Sequence, residues 1–369
     1  MFFDHVDFTQ CCKKTNRQKK FIPSKWIVTV IAWAAMAVGF ATALGAAVPA
    51  LSGDFAKDVI SFILIVGLTI VNIFGVNVSK FVNNLITISK LVPLALFIAI
   101  GIFFINGANF TPVFPQDIYV DGSFAQAAVL LFFAYTGFEV IAIAAEDMRN
   151  PKKNLPRAII MCMLLVSVLY MAILAVSIGV LGTDLANTKA PVQDAFNVIV
   201  GPIGMYIVLV GTLISMGGIN FAEAYYAPRV ATSMAEDGML PSALAKRNRY
   251  NAPYVAAIVT AIASVLLAWS GSFTTLAAIS AVSRFTQYLP TCLAVIIFRR
   301  KWADKARSYT IPGGYLIPVI AIGTSLWMLA QAQTNQLLWG LGGCIIILPF
   351  YYSYWKKKKA GLIKDHDEM

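Results

Sequence analysis

The chain has 369 residues, of which 59% are hydrophobic and 13% charged, and its mean hydropathy is +0.73. A soluble domain carries about 45–50% apolar and about 25% charged residues, so this composition excludes one and describes a polytopic membrane protein with a single domain of packed helices. The formal net charge of +11 does not point to nucleic acid, because the basic residues sit between apolar runs, as the positive-inside rule requires.

Residues 1–24 form a polar, basic leader with Lys13, Lys14, Arg17, Lys19 and Lys20. Two readings stand: a solvated cytoplasmic tail, or a segment held to anionic membrane lipid by its lysines. It has no basic start, apolar core and small-residue cleavage site, so it is not a signal peptide. Spans need about 20 apolar residues. The pattern predicts about ten, at 25–51, 59–78, 82–106, 124–145, 158–181, 203–227, 255–269, 273–298, 315–332 and 336–355. The seventh is short, and Ser270-Gly271-Ser272 makes a tight turn after it. Residues 25–355 are thus the transmembrane domain, and residues 356–369 a basic cytoplasmic tail. Of the 29 Lys and Arg, all but Lys57, Lys90, Lys189 and Arg284 fall in segments on one side, which places both termini in the cytoplasm. Cys162, Cys292 and Cys344 lie in apolar runs and read as small core residues. Cys11 and Cys12 receive no role, and no disulfide framework is expected.

The most informative stretch is 123–157, SFAQAAVLLFFAYTGFEVIAIAAEDMRNPKKNLPR. It opens as an apolar helix, and Thr136-Gly137 then weakens that helix beside Glu139. A carboxylate at membrane depth is a functional-site hypothesis. Opened backbone there is tolerated only where it lines a cavity or is buried in protein. On the residues alone, a kinked helix with Glu139 bonded to a neighbour is the competing account.

FFAYTGFEVIAIAAEDMRNPKKNLPRAI resembles the sixth-helix pattern of the amino acid–polyamine–organocation permeases, and PRVATSMAEDGMLPSALAKRN resembles their segment after the eighth helix. The resemblance implies an all-α, LeuT-like inverted-repeat transporter fold. In it the substrate binds at mid-membrane between broken first and sixth helices. Span 124–145 then corresponds to the sixth helix, and the three spans before it to the third, fourth and fifth. The chain is accordingly expected to be N-terminally truncated, lacking the family's first two helices. A separate segment could supply those helices. Alone, the chain is expected to transport more slowly than a complete member.

By the same resemblance, Phe133, Ala134, Tyr135, Thr136, Gly137, Phe138 and Glu139 form the sixth-helix half of a substrate site. The carbonyls of Phe133, Ala134 and Thr136 accept from the substrate ammonium, and Phe133 covers the ligand. Thr212 and Ser215 are weaker candidates from the eighth helix. Lys90 and Glu139 are candidates for proton coupling, with Lys90 alternatively snorkelling to the interface. Arg284 is either a gate or a structural ion pair with Glu139 or Glu223. Glu223 itself reads as interfacial. The resulting function is secondary transport of an amino acid across the cell membrane, with protons as the expected coupling ion and no cofactor or metal. A non-transporting fragment or scaffold is the alternative. An intramembrane enzyme is disfavoured, since His5 and His366 are the only histidines and no metal-ligand spacing or nucleotide loop is visible.

The charge asymmetry gives a direct test. Ile118→Cys should react with an impermeant thiol reagent on intact cells, and Lys153→Cys should not. The reverse pattern would overturn the helix count.

Overall fold

The computed structural model describes residues 24–75, 80–111, 123–138, 150–188, 190–301 and 313–346. Among them the regular structure is helical, without strands. The leader, the C-terminal tail, Cys11, Cys12 and Glu139 lie outside the described residues.

The first helix, α1 (Ser24–Ala47), is the post of the fold. In its apolar stretch 72% is buried, against 6% in α5 (Pro151–Leu181). Ala32, Ala34, Ala35, Ala37 and Ala41 are all buried, as is Trp33. In lipid, helices do not associate by escaping water, so small residues that allow close approach carry the packing. Around α1 stand α2 (Asp54–Ile73), α7 (Pro202–Glu236), α8 (Tyr254–Ala268) and α9 (Phe273–Lys301). Polar ties fix this arrangement. Trp26 Nε1 donates to Thr260 Oγ1 of α8 at 3.1 Å, and Asn220 Nδ2 of α7 donates to the Met36 carbonyl at 3.1 Å.

On another side, α7 meets α3 (Lys80–Gly101) through glycines. A Cβ added at Gly211 would lie 2.6 Å from Pro93 Cγ and 2.7 Å from the Ser89 carbonyl oxygen. One at Gly218 would lie 2.6 Å from Ile86. Pro93 has no N–H to give the Ser89 carbonyl one turn back, and that carbonyl is what a side chain at 211 would strike. Gly39 of α1 is likewise a close-packing position, since a Cβ there would sit 3.0 Å from the Phe273 ring.

Each predicted span contains a helix, with differences at the ends. Of the predicted span at 124–145, the described residues reach 138 and are α-helical over α4 (Ser123–Ala134). The span at 203–227 continues to Glu236, where Gly238, at φ +75°, ends it in the expected turn. Pro151 opens α5 at a first-turn position, where a missing N–H costs nothing. The short α8 is followed by a turn whose Ser272 Oγ accepts from the Thr275 N–H, capping α9. Helices α10 (Leu316–Gln331) and α11 (Thr334–Ile346) meet at a 118° bend.

Two features depart from expectation. The stretch after α5, read as a loop, contains α6 (Pro191–Val200), whose buried Phe196 meets Phe97 of α3 edge-on at 5.6 Å. Ten residues are about 15 Å of helix, too short to span, which is why the apolar-length criterion passes over it. Cys162, expected in the core, is exposed, because α5 packs few of its faces against protein.

The α3–α7 seam predicts a stability effect. Gly211→Ala should lower the thermal midpoint of the purified protein, with overpacking costing about 1–3 kcal/mol. Gly323→Ala, with nothing within 4 Å of the added Cβ, should not. An unchanged midpoint for Gly211→Ala would show the seam to be loose.

Candidate functional site

Twelve residues of helix are about 18 Å, so α4 stops well short of crossing a bilayer. The local sequence dictates the stop. After Ala134 the bonds tighten to three-residue steps, Tyr135 N–H to the Phe132 carbonyl at 3.1 Å and Thr136 N–H to the Phe133 carbonyl at 3.0 Å. The Thr136 hydroxyl donates to the same Phe133 carbonyl at 2.7 Å. Gly137 then takes φ +106°, a region that residues with a Cβ rarely enter.

Rings of the break pair with rings of neighbouring helices, while Ala134, Gly137 and Phe138 stay exposed. Phe132 stacks on Phe285 of α9 at 4.8 Å between centroids and meets Tyr288 edge-on at 5.9 Å. Phe138 stacks on Tyr288 at 5.9 Å. Phe133 meets Phe273 edge-on at 6.2 Å and packs against the core cluster around Trp33. On the α5 side, Tyr135 meets Tyr170 edge-on at 5.4 Å, and the Tyr170 hydroxyl donates to the Ala134 carbonyl at 3.2 Å. Arg284 is buried in α9 next to Phe285 and interacts electrostatically with Tyr288 one turn on.

The structure therefore brings Phe133, Ala134, Tyr135, Thr136, Gly137 and Phe138 together at one helix end, with Arg284 on the helix that wraps it. Two carbonyls assigned to a substrate ammonium already have protein donors: that of Phe133 has two from Thr136, and that of Ala134 has Tyr170. Thr212 and Ser215 are partly buried on α7, whereas α4 packs chiefly on α9 and α10. Lys90 is exposed on α3, one turn after Ile86 and next to Ser89, hence beside the α3–α7 seam. Glu223, expected at an interface, is partly buried on α7, and its Oε2 is buried without a hydrogen-bond partner among the described residues. Among the described residues no group of three or more His, Cys, Asp or Glu could hold a metal ion.

Sequence reasoning missed Tyr170, Phe273, Phe285 and Tyr288. Phe285 and Tyr288 carried a signal, being three residues apart just after the intramembrane Arg284. Tyr170 carried none.

A family model described as amino acid permease matches residues 15–350. The chain belongs to the amino acid permease family. It is thereby a membrane permease of the amino acid–polyamine–organocation superfamily, and not an enzyme by descent. It is 29% identical to the branched-chain amino acid permease of Bacillus subtilis over 85% of its own length and 68% of the relative's. It is 29% identical to the methylthioribose transporter of the same organism, covering 79% of the chain and 63% of that protein. It is 28% identical to the serine/threonine exchanger of Bacillus subtilis, covering 84% and 72%. The permease thus spans about two thirds of the length of these relatives.

The break geometry predicts unequal effects. Gly137→Ala should destabilise the permease, since a strained backbone region costs of order 1–3 kcal/mol. Tyr170→Phe should cost about 0.5–1.5 kcal/mol, the net worth of one hydrogen bond. Thermal unfolding in detergent reads both, and a Gly137→Ala protein as stable as the parent would show that the turn does not depend on glycine.

Proposed function

We propose that this permease carries out secondary active transport of an amino acid with a neutral side chain across the cell membrane, driven by protons. The observation that carries the reading is the helix end at Ala134. A helix C-terminus is the negative pole of its dipole and attracts a cation, here the substrate ammonium. Rings of Phe132, Phe133, Phe138 and Tyr288 around that end suit an apolar or small side chain better than a charged one. Two of the relatives, a branched-chain amino acid permease and a serine/threonine exchanger, are named for neutral substrates, in agreement with this reading.

In this reading the ammonium is held at the carbonyls of Phe133, Ala134 and Thr136. Burying an unpaired charge is costly, so the substrate carboxylate needs donors that the break does not supply. In this reading they come from a separate segment that supplies the family's first helix. Lys90 and Glu139 carry the coupled proton, Thr212 and Ser215 line the far wall, and Arg284 closes the path behind Tyr288. The permease lies in the plasma membrane with both termini in the cytoplasm, in contact with membrane lipid.

The test is uptake of labelled L-leucine, L-serine and L-threonine by proteoliposomes holding the purified chain. Saturable uptake driven by an inside-alkaline gradient is expected, slower than by the full-length branched-chain permease of Bacillus subtilis. Lys90→Ala should abolish the gradient-driven component and leave exchange of bound substrate largely intact. Absence of both uptake and binding for every common neutral amino acid would overturn the proposal. Unaltered gradient-driven uptake in Lys90→Ala would remove that lysine from it.

A further inference from the structure

Glu223 is placed away from the break, on α7. Asn220 comes three residues before it and Tyr226 three after, so the three share one side of the helix. Asn220 is fully buried, and its Nδ2 donates to the carbonyls of Met36 on α1 and Met216 on its own helix, at 3.1 and 2.8 Å. This pins the Glu223 side of α7 close to α1. Among the described residues, Glu223 Oε2 is buried with no hydrogen-bond partner, and so is the Tyr226 hydroxyl. Lys25 Nζ, at the start of α1, lies 5.7 Å from the centre of the Tyr226 ring. In the other direction Thr212 is eleven residues, or three turns, before Glu223 and on nearly the same flank.

The titratable and charged groups on the elements packed against α7 are few. From α1 there is Lys25, directed at Tyr226 and in no ion pair with Glu223. From α3 there are Lys80 and Lys90, and from α8 there is Tyr254. Those of α2 and α6, namely Asp54, Lys57, Asp58 and Asp194, belong to the opposite ends of the helices, where Lys57 pairs with Asp54 and Thr188 bonds Asp194. None of them neutralises Glu223. An ionised carboxylate buried without a partner is strongly disfavoured, and such a group takes up a proton instead.

We infer that Glu223 is a proton-binding site. Its carboxyl, with Oε2 buried and unpartnered among the described residues, takes up a proton, and the Tyr226–Lys25 end of the α1–α7 seam is the side on which that proton exchanges. Lys25 holds a positive charge at that end, over the Tyr226 ring. In the transport reading, on which this part rests, Glu223 is a proton site apart from the break, on the Lys25 side of α7.

The test does not depend on transport. In the unmodified chain in nanodiscs, a membrane-soluble carbodiimide should modify Glu223 at neutral pH, because it attacks protonated buried carboxyls, and labelling should fall as the pH rises. Infrared difference spectra should show a protonated-acid carbonyl band that is lost in Glu223→Gln and shifted in Tyr226→Phe. Absence of both the label and the band would show an ionised Glu223 and overturn the inference. In proteoliposomes Glu223→Gln should lose the dependence of uptake on the pH gradient, and an unchanged dependence would overturn the coupling role. Should the label and the band be present while neither protein takes up amino acid, the proton site stands and the transport reading fails.

Discussion

A helix that ends inside a bilayer leaves carbonyls that lipid cannot solvate, and each must find a donor within the protein. The stop of α4 at Ala134 is built around that requirement. Thr136 answers it locally, with its N–H and its hydroxyl both directed at the Phe133 carbonyl. Tyr170 answers it from another helix, at the Ala134 carbonyl. The rings of Phe132 and Phe138 then tie the opened segment to Phe285 and Tyr288 of α9. The break can exist only because α9 and α5 are already in place, and α9 is in place because it packs along the alanine-rich face of α1.

Packing around α1 also explains how one long helix serves three tasks. One side of α7 is glycine where it meets α3. Another carries Met216 and Asn220, which face α1. Between them runs the flank with Thr212 and Glu223, which neither contact fills. Small residues hold helices together in lipid, whereas polar residues at depth are costly and are kept for function. The division of α7 into glycine seam, asparagine pin and polar flank follows from those two rules applied to one helix.

The spans were legible because apolar length is a local property, and the end of α4 was legible because Thr136-Gly137 weakens the helix wherever it sits. The caps were legible for the same reason: Pro151, Gly238 and Ser272 act within a turn of their own positions. What was not legible depends on the register of one helix against another. Nothing near Tyr170 in sequence says that its hydroxyl reaches a carbonyl 36 residues away. Nothing near Glu223 says which side of α7 faces α1, and so its place near the helix end read as an interface. Helix α6 escaped because ten residues of mixed polarity satisfy no span criterion, although Phe196 is a buried core ring. For Lys90 the sequence left snorkelling and proton coupling open. Its exposure on α3 beside the α7 seam is compatible with either.

The donors at the break bear on how a cation would enter. The Tyr170 hydroxyl is a neutral donor at 3.2 Å, longer than an optimal O–H···O bond. An ammonium is a charged donor, and charge-assisted bonds are roughly twice as strong as neutral ones. It can therefore share the Ala134 carbonyl, which has a second lone pair, or displace the hydroxyl outright, without leaving a buried acceptor bare at any stage. The same carbonyl stays oriented by Tyr170 until the stronger donor arrives, so the helix end need not refold to bind. A site arranged in this way discriminates by charge first, through the ammonium, and by shape second, through the rings.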